Sequence, residues 1–293
     1  MSAAPIPFHR REFSLRSETG HIAGLEAGPE SRLIDLVFCH ANGFNARTYA
    51  SILAPLAEDF HILAIDMRGH GLSTLSAEVE DRAGWSQYGD DLAALLDAED
   101  MRDVTLAGHS MGGIASLLAA ATRPERVRNL VLFDPVMLAP ENTFEGQVPA
   151  QMLVEGAQRR RARFADRLAA IDNYRGRGAF KHWSEAMLAD YVEDGFRDLP
   201  EGGVALACEP AWEASNFELS RSAAPWRVLP KIAACPVTIL RADNRSTCEM
   251  DGRELDELPG NISIETLSGT THFLPMERPE LVVGELRAAI SAG

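Results

Sequence analysis

The chain has 293 residues, of which 46% are hydrophobic and 24% charged, with a formal net charge of −15 at pH 7. This composition suits a folded soluble protein with a substantial core, in one large domain or one domain carrying an insertion. The acidity argues against a nucleic-acid or anionic-membrane surface, because phosphate binding rests on Lys and Arg neutralising backbone charge. A small-molecule partner is expected instead, with the oligomeric state left open. The four cysteines, Cys39, Cys208, Cys235 and Cys248, show neither paired nor metal-ligand spacing, so free thiols in a reducing compartment are expected, with no metal site and no cofactor. Residues 1–10 lack the apolar centre of a signal peptide. No stretch approaches the ~18 apolar residues of a membrane helix, so the expected location is cytoplasmic.

In chain order, short β-rich runs fall at residues 12–16, 21–27, 33–39, 61–66, 104–107 and 127–133. Several are nearly continuous in Val, Ile and Leu, the pattern of parallel strands covered by helices on both faces. Between them lies a helical pattern at 85–98, with Tyr88, Leu92, Leu95 and Leu96 on one face and Asp90, Asp91 and Asp97 on the other. Residues 139–230 break the alternation. They carry helical stretches at 151–171 and 183–192 and no convincing strand, and so are expected to form a helical insertion. Trp183, Trp212 and Trp226 lie within it, as a lid over an apolar pocket or as the insertion's own small core. The run from Arg159 to Arg163 is expected to be a solvated helix face. Strands resume at 237–240 and 262–267, followed by a closing helix at 279–290. Alternating strands and helices imply a three-layer α/β architecture around a mostly parallel sheet.

Gly108-His109-Ser110-Met111-Gly112 stands between the apolar run 103–107 and the alanine-rich stretch 113–120. A serine at the tip of such a strand-to-helix turn is lifted clear of the sheet by a strained backbone, and the glycines avoid collisions with strand and helix. By chance alone a chain of this length meets G-x-S-x-G on the order of one time in ten, so the placement carries the argument. Ser110 needs a base, an orienting acid and donors for an oxyanion. His272, in the loop 269–279 between the last strand and the last helix, can reach back across the strand ends. His109 and His70 have weaker claims. The turn His40-Ala41-Asn42-Gly43-Phe44 follows the third strand and can aim amides at a substrate carbonyl. The oxyanion hole is assigned to the backbones of Asn42 and Met111, with Phe44 as alternative first donor and His40 as a side chain pinning the loop.

Taken together, His40-Ala41-Asn42-Gly43, the turn from Asp66 to Ser73, Gly108 to Gly113 and Gly269 to Pro279 resemble the α/β-hydrolase superfamily, specifically its cap-bearing esterase-like serine hydrolases. The resemblance covers nearly the whole chain. It implies an eight-stranded, mostly parallel sheet, with a core of residues 1–138 and 231–293 and a helical cap of 139–230 inserted after the sixth strand. It also implies nucleophile, acid and histidine in that chain order. The usual acid lies just beyond the seventh strand, in a stretch resembling Gly-x-x-Asp, but Arg245 stands there. Asp134, at the end of the sixth strand, is the first candidate, followed by Asp243 and then Glu141. The expected activity is cleavage of a small, largely apolar carboxylic ester, thioester or lactone through an acyl-enzyme. Carbon-carbon bond hydrolases and perhydrolases would keep the same triad, and a slow-turnover ligand receptor would keep the scaffold. Haloalkane dehalogenases and epoxide hydrolases of the superfamily use an aspartate nucleophile, which Ser110 opposes.

Overall fold

The computed structural model describes residues 7–16, 18–80, 82, 84–138, 150–220, 225–232, 234–249 and 260–292. Its strands in chain order are β1 His9–Phe13, β2 Ile22–Ala27, β3 Leu36–Cys39, β4 Ile62–Ile65, β5 Val104–His109 and β6 Val127–Phe133, then β7 Arg163–Phe164, β8 Phe196–Asp198, β9 Val204–Leu206, β10 Val237–Asn244 and β11 Ile262–Thr271. The helices are α1 Ala50–Leu53, α2 Ser86–Ala98, α3 Met111–Thr122, α4 Ala150–Gln158, α5 Arg167–Tyr174, α6 Glu185–Gly195, α7 Pro210–Glu218, α8 Leu274–Glu277 and α9 Pro279–Ser291.

The apolar runs become the central strands because both of their faces are covered. Successive side chains of a strand point to opposite sides. Val37, Leu63, Ile65, Leu106 and Leu132 therefore pack with α2 and α3 on one side. Leu36, Phe38, Ile62, Val131 and Phe133 pack with Val282 and Leu286 of α9 on the other. Eight strands form one sheet in the order β1-β2-β4-β3-β5-β6-β10-β11. Only β2 runs against the rest, pairing antiparallel with β1 and β4, while every other neighbouring pair is parallel. The fold expected from the resemblance is the fold observed. The carboxyl ends of the parallel strands all open on one edge, where ligands bind in open α/β sheets.

Five expectations need correction. The first strand is His9–Phe13 rather than 12–16, because pairing sets Phe13 opposite Ile22 and the chain turns beyond it. The segment between β6 and β10 is not purely helical: β7, β9 and β8 form a three-stranded antiparallel sheet. The expected helix at 151–171 is consequently broken, with α4 ending at Gln158, β7 intervening, and α5 starting anew where the Asp166 carboxylate caps the Ala169 amide at 2.7 Å. Asp91 is buried rather than on the solvent face of α2, and it grips Arg68 bidentately at 2.7 and 2.9 Å. The arginine run is likewise split. Arg159 and Arg163 are exposed, but Arg160 turns inward to Glu213, Tyr174 and Tyr191. All four cysteine side chains are buried. Among the described residues no helix is long and apolar enough to cross a membrane.

Candidate active site

Ser110 occupies the turn between β5 and α3, with φ +57° and ψ −117°, a left-handed backbone that L-residues rarely adopt. The turn can be this tight only because Gly108 and Gly112, two positions to either side, lack side chains. A Cβ on Gly108 would stand 2.3 Å from the Gly112 carbonyl carbon, and one on Gly112 would stand 2.2 Å from the Cys39 carbonyl oxygen. The helix thereby starts against the ends of β5 and β3, and the serine is held at the sheet edge, 6% exposed. The Ser110 amide donates to the Phe133 carbonyl at 3.0 Å, tying the elbow to the end of β6.

His272 follows β11 directly and closes a hydrogen-bonded chain with two other strand ends. Ser110 Oγ lies 3.0 Å from His272 Nε2, and His272 Nδ1 lies 2.6 Å from Asp134 Oδ2. A carboxylate only accepts, so Nδ1 carries the ring proton and Nε2 is left to accept from the Ser110 hydroxyl. The loop bearing His272 is clamped on both sides. Asp243 accepts from the Gly269 and Thr270 amides at 2.8 and 3.1 Å, and Glu277 accepts from the amide and hydroxyl of Thr271 at 2.8 and 2.7 Å.

Asp134, the first-choice acid, is fully buried, and its carboxylate accepts from His272, the Ala242 amide (2.9 Å), the Ser246 hydroxyl (2.5 Å) and the Thr247 amide (3.0 Å). Burial alone would raise its pKa. The His272 hydrogen bond and charge, with Ser246 and Thr247, outweigh burial and hold the carboxyl below its ordinary range. Asp243 is thus spent on the loop rather than on the imidazole, and Glu141 lies outside the described residues. Ser246 and Thr247 escaped the sequence reading. Their signal was the loss of the usual acid beside them, since this segment supplies donors to a carboxylate from β6 in place of a carboxylate of its own.

The glycine turn after β3 is pinned by neutral histidines. His40 Nδ1 donates to the Ala41 carbonyl at 2.8 Å and Nε2 accepts from the Met67 amide at 2.9 Å. His70 Nδ1 donates to the Arg68 carbonyl and Nε2 accepts from the Gly43 amide at 3.1 Å. The Phe44 amide is committed to the Ala41 carbonyl at 3.1 Å. Among the described residues the Asn42 and Met111 amides have no such partner. The Asn42 side chain reaches into α7, donating to the Glu213 carbonyl at 3.1 Å and accepting from Asn216 at 2.7 Å. Phe44 also meets the insertion, with its ring 5.1 Å from that of Trp183, and on the other side it lies 6.2 Å from the ring of Phe273, which follows β11. Trp212 packs instead under Gly69 and donates to the Arg68 carbonyl, and the side chain of Trp226 lies outside the described residues.

A family model described as the alpha/beta hydrolase family matches residues 36–285, and the chain belongs to that family. A 2-(acetamidomethylene)succinate hydrolase of Mesorhizobium japonicum is 23% identical over 261 residues, covering 88% of each chain. A pimeloyl-[acyl-carrier protein] methyl ester esterase of Aeromonas hydrophila is 32% identical over 97 residues, 33% of this chain and 36% of that one. Among solved structures, an E-2-(acetamidomethylene)succinate hydrolase superposes with a TM-score of 0.77 at 22% identity, covering 97% of this chain and 99% of that one. The enol-lactonase of Burkholderia xenovorans superposes at 0.69 and 18% identity, covering 96% and 100%.

Proposed function

We propose that the protein is a serine hydrolase that passes the acyl group of a small carboxylic ester, thioester or lactone to water through an acyl-enzyme on Ser110. The carrying observation is the chain from Ser110 Oγ through His272 to Asp134, with links of 3.0 and 2.6 Å. In this reading His272 takes the Ser110 proton as the oxygen attacks the carbonyl, and Asp134 stabilises the imidazolium that forms. The Asn42 and Met111 amides receive the oxyanion. His272 then protonates the leaving group and afterwards activates the water that releases the acid product. An imidazole base must be neutral to accept a proton, so kcat/KM falls on the acid side of the profile. The insertion between β6 and β10 serves as a cap. The aromatic surface of Phe44, Trp183 and Phe273, which borders His272 at 5.5 Å between the rings of His272 and Phe273, supports a largely apolar acyl group.

The relative matching 88% of each chain favours a second reading with the same triad, in which the substrate carries an acetamido group. A panel of p-nitrophenyl esters of graded acyl length, thioesters, lactones and acetamido-substituted acids separates the two. In either case Ser110→Ala lowers turnover by on the order of 10⁴-fold or more while the fold persists. Retained turnover in that variant, or fluorophosphonate labelling of it at another serine, overturns the assignment.

A further inference from the structure

Tyr49 and His109 stand outside the Ser110–His272–Asp134 chain, and both are fully buried. Three hydrogen bonds run through them in series. The Ala41 amide donates to Tyr49 Oη at 3.2 Å, Tyr49 Oη meets His109 Nδ1 at 2.7 Å, and His109 Nε2 meets the carbonyl oxygen of His272 at 2.7 Å. The direction of every link follows from the last one, because a carbonyl can only accept. His109 Nε2 must carry a proton. In the neutral ring Nδ1 is then an acceptor, the Tyr49 hydroxyl fills it, and the phenolic oxygen is left to accept from Ala41. A second proton on His109 would take the acceptor away from the Tyr49 hydroxyl, and a buried donor left without a partner is destabilising. Burial, with repulsion from His272 as the next cause, pushes the ring down to about 3, in keeping with the neutral form.

The chain begins one residue before Asn42, passes through the residue before Ser110 and ends on the backbone of His272. It therefore joins the turn after β3, the elbow after β5 and the segment after β11. The rings of His109 and His272 are 5.0 Å apart, so a charged His109 would oppose the imidazolium that forms on His272 in the reaction. A neutral ring bridges the segments without that penalty. We propose that Tyr49 and His109 are positioning residues that fix the backbone of His272 against the elbow and the Asn42 turn, so that breaking either link lowers turnover and leaves substrate binding intact. The inference rests on the serine-hydrolase reading of the site.

Two measurements test it. In protein with ¹⁵N-labelled histidine, His109 is expected to be neutral and protonated on Nε2 at neutral pH. For kinetics, the variants are Tyr49→Phe, His109→Asn, whose amide is too short to reach the His272 carbonyl, and His109→Gln, whose amide nitrogen takes the place of Nε2. Tyr49→Phe and His109→Asn are expected to lower kcat about 10- to 100-fold per folded molecule with KM within about twofold, and His109→Gln to recover most of the loss. The double variant should lose less than the two singles combined, since both break one chain. A purely structural role would reduce the folded fraction and treat the two amide variants alike. Wild-type kcat per folded molecule in Tyr49→Phe, equal kcat in the Asn and Gln variants, or a His109 ring protonated on Nδ1 overturns the proposal. Should the wild-type protein itself fail to take a fluorophosphonate at Ser110, the functional reading fails, and the ring tautomer still judges the hydrogen-bond chain.

Discussion

Two carboxylates near the end of β10 and β6 divide the labour around His272. Asp134 gives its oxygens to the imidazole and to donors from residues 242–247, whereas Asp243 gives its own to the Gly269 and Thr270 amides. Asp134→Asn is therefore expected to lower kcat by roughly 10⁴-fold by favouring the wrong tautomer, while Asp243→Asn retains most of it; steady-state kinetics on both variants check the ranking, and the reverse order refutes it. Because Asp134 is held below its ordinary range in the fold, its charge contributes stability at neutral pH. That contribution is lost only as pH falls below the ordinary carboxylate value of about 4 toward the folded one. Urea unfolding of wild type and Asp134→Asn should accordingly diverge at pH 7, with the gap narrowing as pH falls below about 4. Ser110 and His272 were legible in sequence because glycines and loop position surround them with local signals. Asp134 was legible only as one of three carboxylates, since its selection depends on Ser246 and Thr247, over 100 positions away in the chain.

Among the secondary-structure elements, the β5–α3 junction is the most demanding. A methyl group on Gly112 would meet backbone, at 2.2 Å from the Cys39 oxygen and 2.6 Å from the His40 oxygen, whereas one on Gly113 would first meet the Pro135 side chain at 3.1 Å. Gly112→Ala should cost on the order of 3 kcal/mol or more in urea unfolding and Gly113→Ala about 1 kcal/mol; equal costs would show that the helix can shift away from β3. The large sheet was readable because its strands are long enough for continuous apolar runs to stand out. The small sheet was not, since β7 has two residues and β8 and β9 three each, too few for any alternation to register. Its one local signal was Gly202-Gly203, both at positive φ between β8 and β9. The broken helix at 151–171 hid for a related reason: β7 pairs with a strand some 40 residues later, and only that pairing overrides the helical pattern.

Across the whole molecule, the insertion is fastened to the sheet by ionic and polar contacts that no local pattern announces. Asp194 of α6, 2% exposed, takes Arg10 of β1 bidentately at 2.7 and 2.9 Å and Arg47 at 2.9 Å. Both arginines remain partly open to solvent, so Asp194→Ala should cost about 1–3 kcal/mol, less than a fully buried pair, with kcat per folded molecule unchanged. Stability should also rise from about pH 4 to about 6.5. Burial pushes His40 far down, His70 to about 4 and His109 to about 3. The unfolded chain takes up these protons first, so stability held above the ordinary histidine value drains away as pH falls. Burial pushes Asp66 the other way, to about 7 against the Leu72 and Ala46 amides, and its contribution is lost as pH rises from about 4. Burial raises Asp91 and Asp190 as well, and the three histidines outweigh these carboxyls toward pH 6.5, leaving a positive net slope that urea unfolding as a function of pH measures directly. A flat profile over that range, or one that falls, contradicts the neutral state of the buried rings.

The central claim is that Ser110 forms a covalent acyl intermediate, and rapid-quench trapping with a p-nitrophenyl ester tests it most directly. Peptide mapping of the quenched protein should place the acyl group on Ser110, with one equivalent of p-nitrophenol released in the burst and none in His272→Ala. Turnover that proceeds with no acyl group on Ser110, or a burst that persists in His272→Ala, would contradict it.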